Sequence, residues 1–378
     1  MKKFFFLITL LSCIGCISDR QTICPDELNL SAMLQPIPDN AVFEDSTYYI
    51  WGSSPVKGDD GKYHLFYSRW EKKYRFSAWV THSEIAHAVP DHLFGPYTHH
   101  DVALPERGEK FWDGHTTHNP TIHRFGNKYY LYYMGNRGDR VETKGLNWSH
   151  RNAQKIGVAV ADSPYGPWKR FDTPLVDASN DATAPDALAV SNPSVVQCPD
   201  GKFLMVYKAI GRKNKMPFGG PVVHMTALSD SPTGPFVKNP KLAFTCEGSN
   251  FAAEDPYIWV QGRRFYAIVK DMTGVFTHRG RSLALFTSED GLDWQLAKHP
   301  FVSDLNLNWE GGRRDSVFRL ERPQVYLEDG LPKALFLAVT PLKPEDNAFN
   351  VHIPLDQAHH KTRLEPSNLI WEHKNPIN

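Results

Sequence analysis

The stretch HNPTIHRFGNKYYLYY, residues 118–133, opens on a polar His-Asn-Pro, runs through a short apolar segment, turns at a glycine and ends in tyrosines. Two apolar runs joined by a Gly-containing turn form a β-hairpin signal. The arrangement recurs as SSPVKGDDGKYHLFYS at Pro55, SNPSVVQCPDGKFLMVY at Pro193, EDPYIWVQGRRFYAIV at Pro256 and ERPQVYLEDGLPKALFLAV at Pro323. Successive prolines stand 65, 73, 63 and 67 residues apart. A second motif follows in fixed phase: HLFGPY (92–97), DSPYGPW (162–168), DSPTGPF (230–236) and SEDGLDW (288–294). Each closes an apolar strand such as IGVAVA or SLALFT. Gly-Pro sets the turn there, and the aromatic residue begins a fourth strand.

Four strands per repeat and five repeats predict an all-β, five-bladed β-propeller with four antiparallel strands per blade. Unrelated hairpins in a sandwich would not keep two linked motifs in constant order. Helical patterning is nearly absent, although NLSAMLQ (29–35) can form one turn. The expected organisation is a signal region over 1–16, an extension over 17–45 and a single propeller over 46–378. STYYIWG (46–52) is the expected strand that closes the ring against the last blade.

Lys+Arg and Asp+Glu are both 42, so the formal charge is zero and no basic field speaks for nucleic acid. The N-terminus has a basic start, MKK, and an apolar run, FFFLITLL, too short to span a bilayer. Leu10-Leu11-Ser12-Cys13 resembles a bacterial lipoprotein signal, with Cys16 a second, poorer match. The alternative is an ordinary cleaved secretory signal. Both readings give an exported protein. The first lipidates Cys13 or Cys16 and places the chain in the periplasm or on the outer membrane, with the lipid anchor its one membrane contact. Cys24, Cys198 and Cys246 have neither a disulfide framework nor zinc-site spacing. They read as tolerated thiols, with room for one bridge. A monomer is expected.

The first strand of each propeller blade lines the central channel, so residues at the repeated prolines converge on one pocket. They are Ser53-Ser54, His118-Asn119, Ser191-Asn192, Glu254-Asp255 and Glu321-Arg322. All five pairs are polar, and apolar residues follow immediately. The alternative is that they merely cap strand ends near water.

The five-fold proline motif with SPxGPW turns resembles the five-bladed glycoside hydrolases of family 43 and their relatives, over nearly the whole chain past the N-terminal region. The resemblance implies a carbohydrate substrate and three carboxylates. These are an Asp base before the first-blade proline, an Asp modulator before the third and a Glu acid two residues before the fourth. Here those positions hold Ser54, Asn192 and Glu254. Inverting hydrolysis needs one carboxyl group to protonate the leaving oxygen and another to activate water. Ser54 and Asn192 cannot be that base, so Asp45, Asp113, Asp255 or Asp271 would have to replace it.

Other residues are gained. His115 and His118 lie at the second blade, KDMTG (270–274) follows the fourth-blade hairpin, and WEGGRRDS (309–316) and Arg322 lie at the fifth. Arg or Asn beside His suits a substrate carboxylate. Neutralising a uronate carboxylate acidifies its C5 proton. A His can then take that proton near neutral pH, and a second group can protonate the oxygen leaving C4. The departure is similar to the oligosaccharide dehydratases of marine bacteria that degrade ulvan, which implies an unsaturated uronate at the non-reducing end.

The expected catalytic residues are His118, His115 and Glu254. The expected substrate contacts are Ser54, Asn119, Asn192, Asp255, Lys270, Asp271, Arg314 and Arg322. Lys270 and Asp271 could equally form a surface pair, and Arg313 and Arg314 could pair with Glu310 and Asp315. No cofactor is required and no metal is assigned, since His115, His118 and His123 lack helical spacing. A structural calcium or sodium ion in the channel remains compatible. The competing functions are an exo-glycosidase with a relocated base and a non-catalytic glycan-binding lipoprotein.

Overall fold

The computed structural model describes residues 28–343 and 345–356. Cys13, Cys16, Cys24 and the chain beyond residue 356 lie outside these residues. Cys198 and Cys246 are both free thiols.

Five four-stranded antiparallel sheets form the five blades. Blade 1 runs outward through Tyr48–Lys57, Tyr63–Glu71, Glu84–Ala88 and His99–Leu104. Blade 2 follows with Thr116–Phe125, Lys128–Asn136, Lys155–Ala161 and Lys169–Arg170. Blade 3 comprises Ala189–Gln197, Phe203–Ile210, Val222–Ser229 and Val237–Ala243, and blade 4 Ala253–Gln261, Arg264–Asp271, Ser282–Ser288 and Gln295–Ser303. Blade 5 has Arg319–Glu328, Leu331–Thr340 and Phe349–Pro354, and takes its outer strand from Val42–Phe43 at the other end of the chain.

The ring is therefore closed by Val42–Phe43 and not by residues 46–52. The latter belong to the inner strand of blade 1, where Tyr49 and Trp51 are buried against Trp70 and Phe76. The one-turn helix Leu30–Met33 is capped by Asn29, whose Oδ1 accepts from Ala32 N at 3.2 Å. Leu28, Leu30, Met33 and Ile37 fill the blade 4–blade 5 core beside Trp309, Leu337 and Val351. Tyr129, Tyr132 and Tyr133 of the opening stretch are fully buried in the cores on either side of blade 2. They are packing residues.

Every inner strand carries a bulge at the same place, between Trp51 and Ser54, His118 and Thr121, Ser191 and Ser194, Glu254 and Tyr257, and Glu321 and Gln324. The first bulged residue has left-handed φ in all five: Gly52 +61°, Asn119 +54°, Asn192 +51°, Asp255 +53° and Arg322 +54°. Glycine reaches this region freely, and Asn and Asp do so far more often than other residues. The Asn-Pro and Asp-Pro pairs are thus partly a backbone requirement. The bulge also fixes the blade 1 alignment. Gly52-Ser53, not Ser54-Pro55, is the equivalent of Asn119-Pro120. Ser54 instead matches Ser194, and both hydroxyls accept a backbone N–H from the next inner strand, Ile122 N to Ser54 Oγ and Ile258 N to Ser194 Oγ, each at 2.9 Å.

Candidate active site at the propeller axis

The bulged residues meet at the axis in a hydrogen-bonded chain. Asn119 Nδ2 donates to Asn192 Oδ1 at 2.8 Å, and Asn192 Nδ2 donates to Asp255 Oδ1 at 2.7 Å. Arg322 N donates to Asp255 Oδ2 at 3.2 Å. A Cβ on Gly52 would stand 3.4 Å from both Arg322 Cγ and Asn119 Oδ1, so the glycine closes the ring. Burial and the neighbouring Glu254 raise the Asp255 carboxyl to about 6, with Arg322 opposing.

Arg322 departs from this pattern in two ways. It is the one bulged residue that is neither Gly, Asn nor Asp. Its side chain is also buried, yet Nε and Nη1 have no hydrogen-bond acceptor. The nearest carboxylate oxygen, Asp255 Oδ1, is 3.6 Å from Nη1. Left-handed φ in a non-glycine residue costs about 1–3 kcal/mol, and unsatisfied buried donors add a similar cost. Burial lowers the Arg322 pKa while Asp255 opposes the shift.

One position earlier on the inner strands stand Trp51, His118, Ser191, Glu254 and Glu321. Glu254 is clasped between Lys208 Nζ at 2.9 Å and Lys270 Nζ at 3.4 Å, and Lys270 also pairs with Glu321. Burial alone would raise the Glu254 pKa, but the two ammonium groups outweigh it and hold the carboxyl at about 2. Lys270 is pushed above its ordinary value because Glu321 and Glu254 outweigh its burial. Arg151 is brought down to about 10 by burial, with Glu254 opposing. Four cations, Arg151, Lys208, Lys270 and Arg322, therefore face three carboxylates, Glu254, Asp255 and Glu321.

His118 is buried, with Nδ1 2.7 Å from Ser83 Oγ. Its ring stacks on Trp79 at 4.9 Å and meets Trp70 edge-on at 5.6 Å. Burial, then Arg322 and Lys208, push its pKa well below the usual histidine value, so the ring is neutral. His115 is also buried, and neither of its ring nitrogens has a partner. It lines a cleft of about 760 Å³ between the loops after the second strands of blades 1 and 2. Lys73, Arg75, Arg140 and Lys144 line the same cleft, and so does Ser83, which links it to His118.

Other expected site residues are placed elsewhere. Asp271 is fully buried and organises the loop after its strand. Its carboxylate accepts from the backbone N–H groups of residues 273–277 and from Thr277 Oγ1, with 2.8 Å to Gly274 N the shortest, so substrate has no free lone pair there. Arg314 is exposed on a separate hairpin, Asn306–Asn308 with Arg314–Ser316, 3.8 Å from Asp304. Ser54 is spent on the latch to Ile122. Among the alternative bases, Asp113 is locked by Arg107, Tyr133 and Arg170, and Asp45 accepts from Thr47 N and Tyr48 N. Only Asp255 reaches the axis. Lys208 and Arg151 complete the site although the motif did not mark them. Lys208 interrupts the otherwise apolar strand FLMVYKAI, and that interruption is the signal that could have found it.

No family model and no curated protein matches the chain. Solved structures do. A family 117 glycoside hydrolase produced by the marine bacterium Zobellia galactanivorans superposes with a TM-score of 0.60 at 18% identity, covering 85% of this chain and 89% of that one. A GH43_1 enzyme from Xanthomonas citri gives 0.54 at 14% identity, with 88% and 94% covered. An α-L-arabinofuranosidase from Lactobacillus brevis gives 0.52 at 12% identity, with 86% and 94% covered. At such identities the likeness establishes the five-bladed fold; the reaction has to be argued from the site.

Proposed function

We propose that this chain is a carbohydrate-active enzyme that acts on the non-reducing end of uronate-containing oligosaccharides and eliminates water to leave an unsaturated uronate. The observation that carries the reading is Arg322, a cation buried in a strained backbone conformation with unspent donors at the axis. A substrate carboxylate that opened the axis would supply the acceptor those buried donors lack and balance the excess of cations around it.

Hydrolysis is poorly served by the same residues. Ser54, or Gly52 once the bulge aligns blade 1 with the others, and Asn192 stand where the resemblance expects carboxylates. Glu254, in the expected acid position, is held ionised near 2 and so carries no proton to donate near neutral pH. In elimination, a base removes the C5 proton, the C5–H electrons form the C4–C5 double bond, and the C4–O bond breaks with proton donation to release water. His118 is neutral and can accept a proton. Burial depresses its basicity most; Arg322 and Lys208 add to the effect, and their share is what a bound uronate would offset. His115, with both ring nitrogens unspent, is the candidate for the second proton; burial and then Arg140 lower its pKa, so it donates from a neutral ring unless the bound uronate recharges it. Export as a lipid-anchored protein, read from Cys13 and Cys16, belongs to the same proposal. It would bring the enzyme to polysaccharide outside the cytoplasm.

Incubating the protein with uronate-terminated oligosaccharides tests the reading directly. New ultraviolet absorbance with loss of one water and no released monosaccharide is expected. Release of a terminal sugar without absorbance change would overturn it in favour of an exo-glycosidase. That second reading has its own support. The superposing structures are glycoside hydrolases, and the adjacent carboxyls Glu254 and Asp255 are split to about 2 and about 6, as an acid–base pair would be. Full activity in Glu254→Gln with none in His118→Ala would exclude it. Binding without turnover on every substrate would leave a glycan-binding protein.

A further inference from the structure

Blade 1 carries a second histidine cluster on its outer strands, away from the axis. His87, on Glu84–Ala88, pairs directly across the sheet with Asp101, on His99–Leu104. The next pair in register is Ala88 with His99, so His100 is the extra residue of a β-bulge. Consecutive strand residues normally face opposite sides of a sheet. A bulge cancels that alternation and re-aims a side chain. It lets His100 and Asp101, neighbours in sequence, reach the same point as His87.

We infer that His87, His100 and Asp101 form a binding site for a late first-row divalent ion of the zinc type. One donor atom from each residue lies within 4.8 Å of the others. His87 Nδ1 and His100 Nδ1 stand 3.2 Å and 3.5 Å from Asp101 Oδ1. Ligands bound at about 2.0–2.1 Å to a tetrahedral zinc lie about 3.3 Å apart, so two edges of the donor triangle already have the required length. Imidazole with carboxylate suits zinc, nickel and copper better than calcium or magnesium.

The surroundings match what a bound ion requires. The other His87 nitrogen, Nε2, is 2.9 Å from His64 Nδ1, and His64 Nε2 is 3.2 Å from Asp60 Oδ1. A histidine ligand whose far nitrogen is tied into a chain ending on a carboxylate is oriented and made more basic. Tyr165, from the blade 2 turn, covers the cluster, with its ring 4.9, 5.6 and 5.2 Å from those of His64, His87 and His100. Its hydroxyl reaches Asp60 at 3.1 Å. His87 is buried, whereas His100 and Asp101 are 46% and 43% exposed, which leaves an entry path and a fourth position for water. The ion would tie the two outer strands of blade 1 together beneath Tyr165 of the blade 2 turn, without touching the axial chemistry.

Titration of the chelator-treated full chain with zinc chloride, in competition with a chromophoric zinc indicator, tests the site. One equivalent should bind in the wild type. His100→Ala and Asp101→Asn change exposed side chains and should each lower its affinity at least tenfold while oligosaccharide turnover stays unchanged. X-ray absorption of the zinc-loaded protein should show two imidazoles at about 2.0 Å. Equal zinc uptake by the wild type and the doubly substituted chain would overturn the inference, as would an absorption spectrum without imidazole. Asp101 would then be no more than a hydrogen-bond partner for His87.

Discussion

Arg322 holds a position where the backbone asks for glycine, asparagine or aspartate, and the three other non-glycine blades comply. Arg322→Asn would adopt the same φ with less strain, keep the N–H to Asp255 and remove an unsatisfied buried cation. We expect its melting temperature to equal or exceed the wild type, by about 2–4 °C for each kcal/mol recovered, while turnover of uronate substrates falls at least a hundredfold. A melting temperature several degrees lower with unchanged KM would make Arg322 a structural residue. Glu254 supports a second prediction. Its folded pKa of about 2 lies below the unfolded value of about 4.3. Its ion pairs therefore contribute stability that is present above about 4.3 and lost as pH falls towards 2. The stability gap between wild type and Glu254→Gln should be open at pH 6 and narrow steadily below pH 4. A gap that stays constant down to pH 3 would contradict the lysine clasp.

Among the elements, the two-residue strand Val42–Phe43 has an effect out of proportion to its length, because it joins the N-terminal segment to the last blade and closes the ring. Phe43 is buried, edge-on to Tyr67 at 4.7 Å and tilted against Tyr97 at 5.3 Å. Phe43→Ala should cost about 3–5 kcal/mol, the usual range for a buried aromatic, measured as a lower denaturant midpoint with unchanged slope. A loss below about 1 kcal/mol would mean the ring holds without this closure. The proline repeats made four of the inner strands legible in sequence. The first misled, because Pro55 lies two residues beyond the bulge and only hydrogen-bond register reveals the offset. The loop after Arg264–Asp271 was misread for a related reason. A carboxylate that caps five backbone N–H groups looks, in sequence, the same as one that faces substrate.

At the scale of the whole molecule, burial keeps several histidines neutral at once. Burial places His123 at about 4; it also takes His224 to about 3, where Lys208 adds to the effect. It pushes His352 and, together with Arg322 and Lys208, His118 well below the ordinary value. Unfolded histidine takes up its proton near 6.5. Each of these rings thus contributes stability that is complete above about 6.5 and lost as pH falls towards the folded values. The melting temperature should decline from pH 7 to pH 5, before most carboxylates titrate. A flat profile over that interval would show that these rings take up protons without unfolding.

The sequence by itself determined the five-bladed architecture, since a strand, turn and aromatic motif repeated in constant order admits one closed arrangement. It also showed that Ser54 and Asn192 stand where the family 43 resemblance expects carboxylates, but only the strand register decided that Gly52, not Ser54, is the blade 1 equivalent of Asn119. Only the tertiary structure decided which polar residues meet. Lys208, Glu254, Lys270 and Arg322 come from three different blades and Arg151 from the short helix Trp148–Asn152 within blade 2, and their charges acquire meaning only where burial removes water from between them. The bulge that sets Arg322 in a left-handed conformation is likewise a property of paired strands, invisible until their register is known.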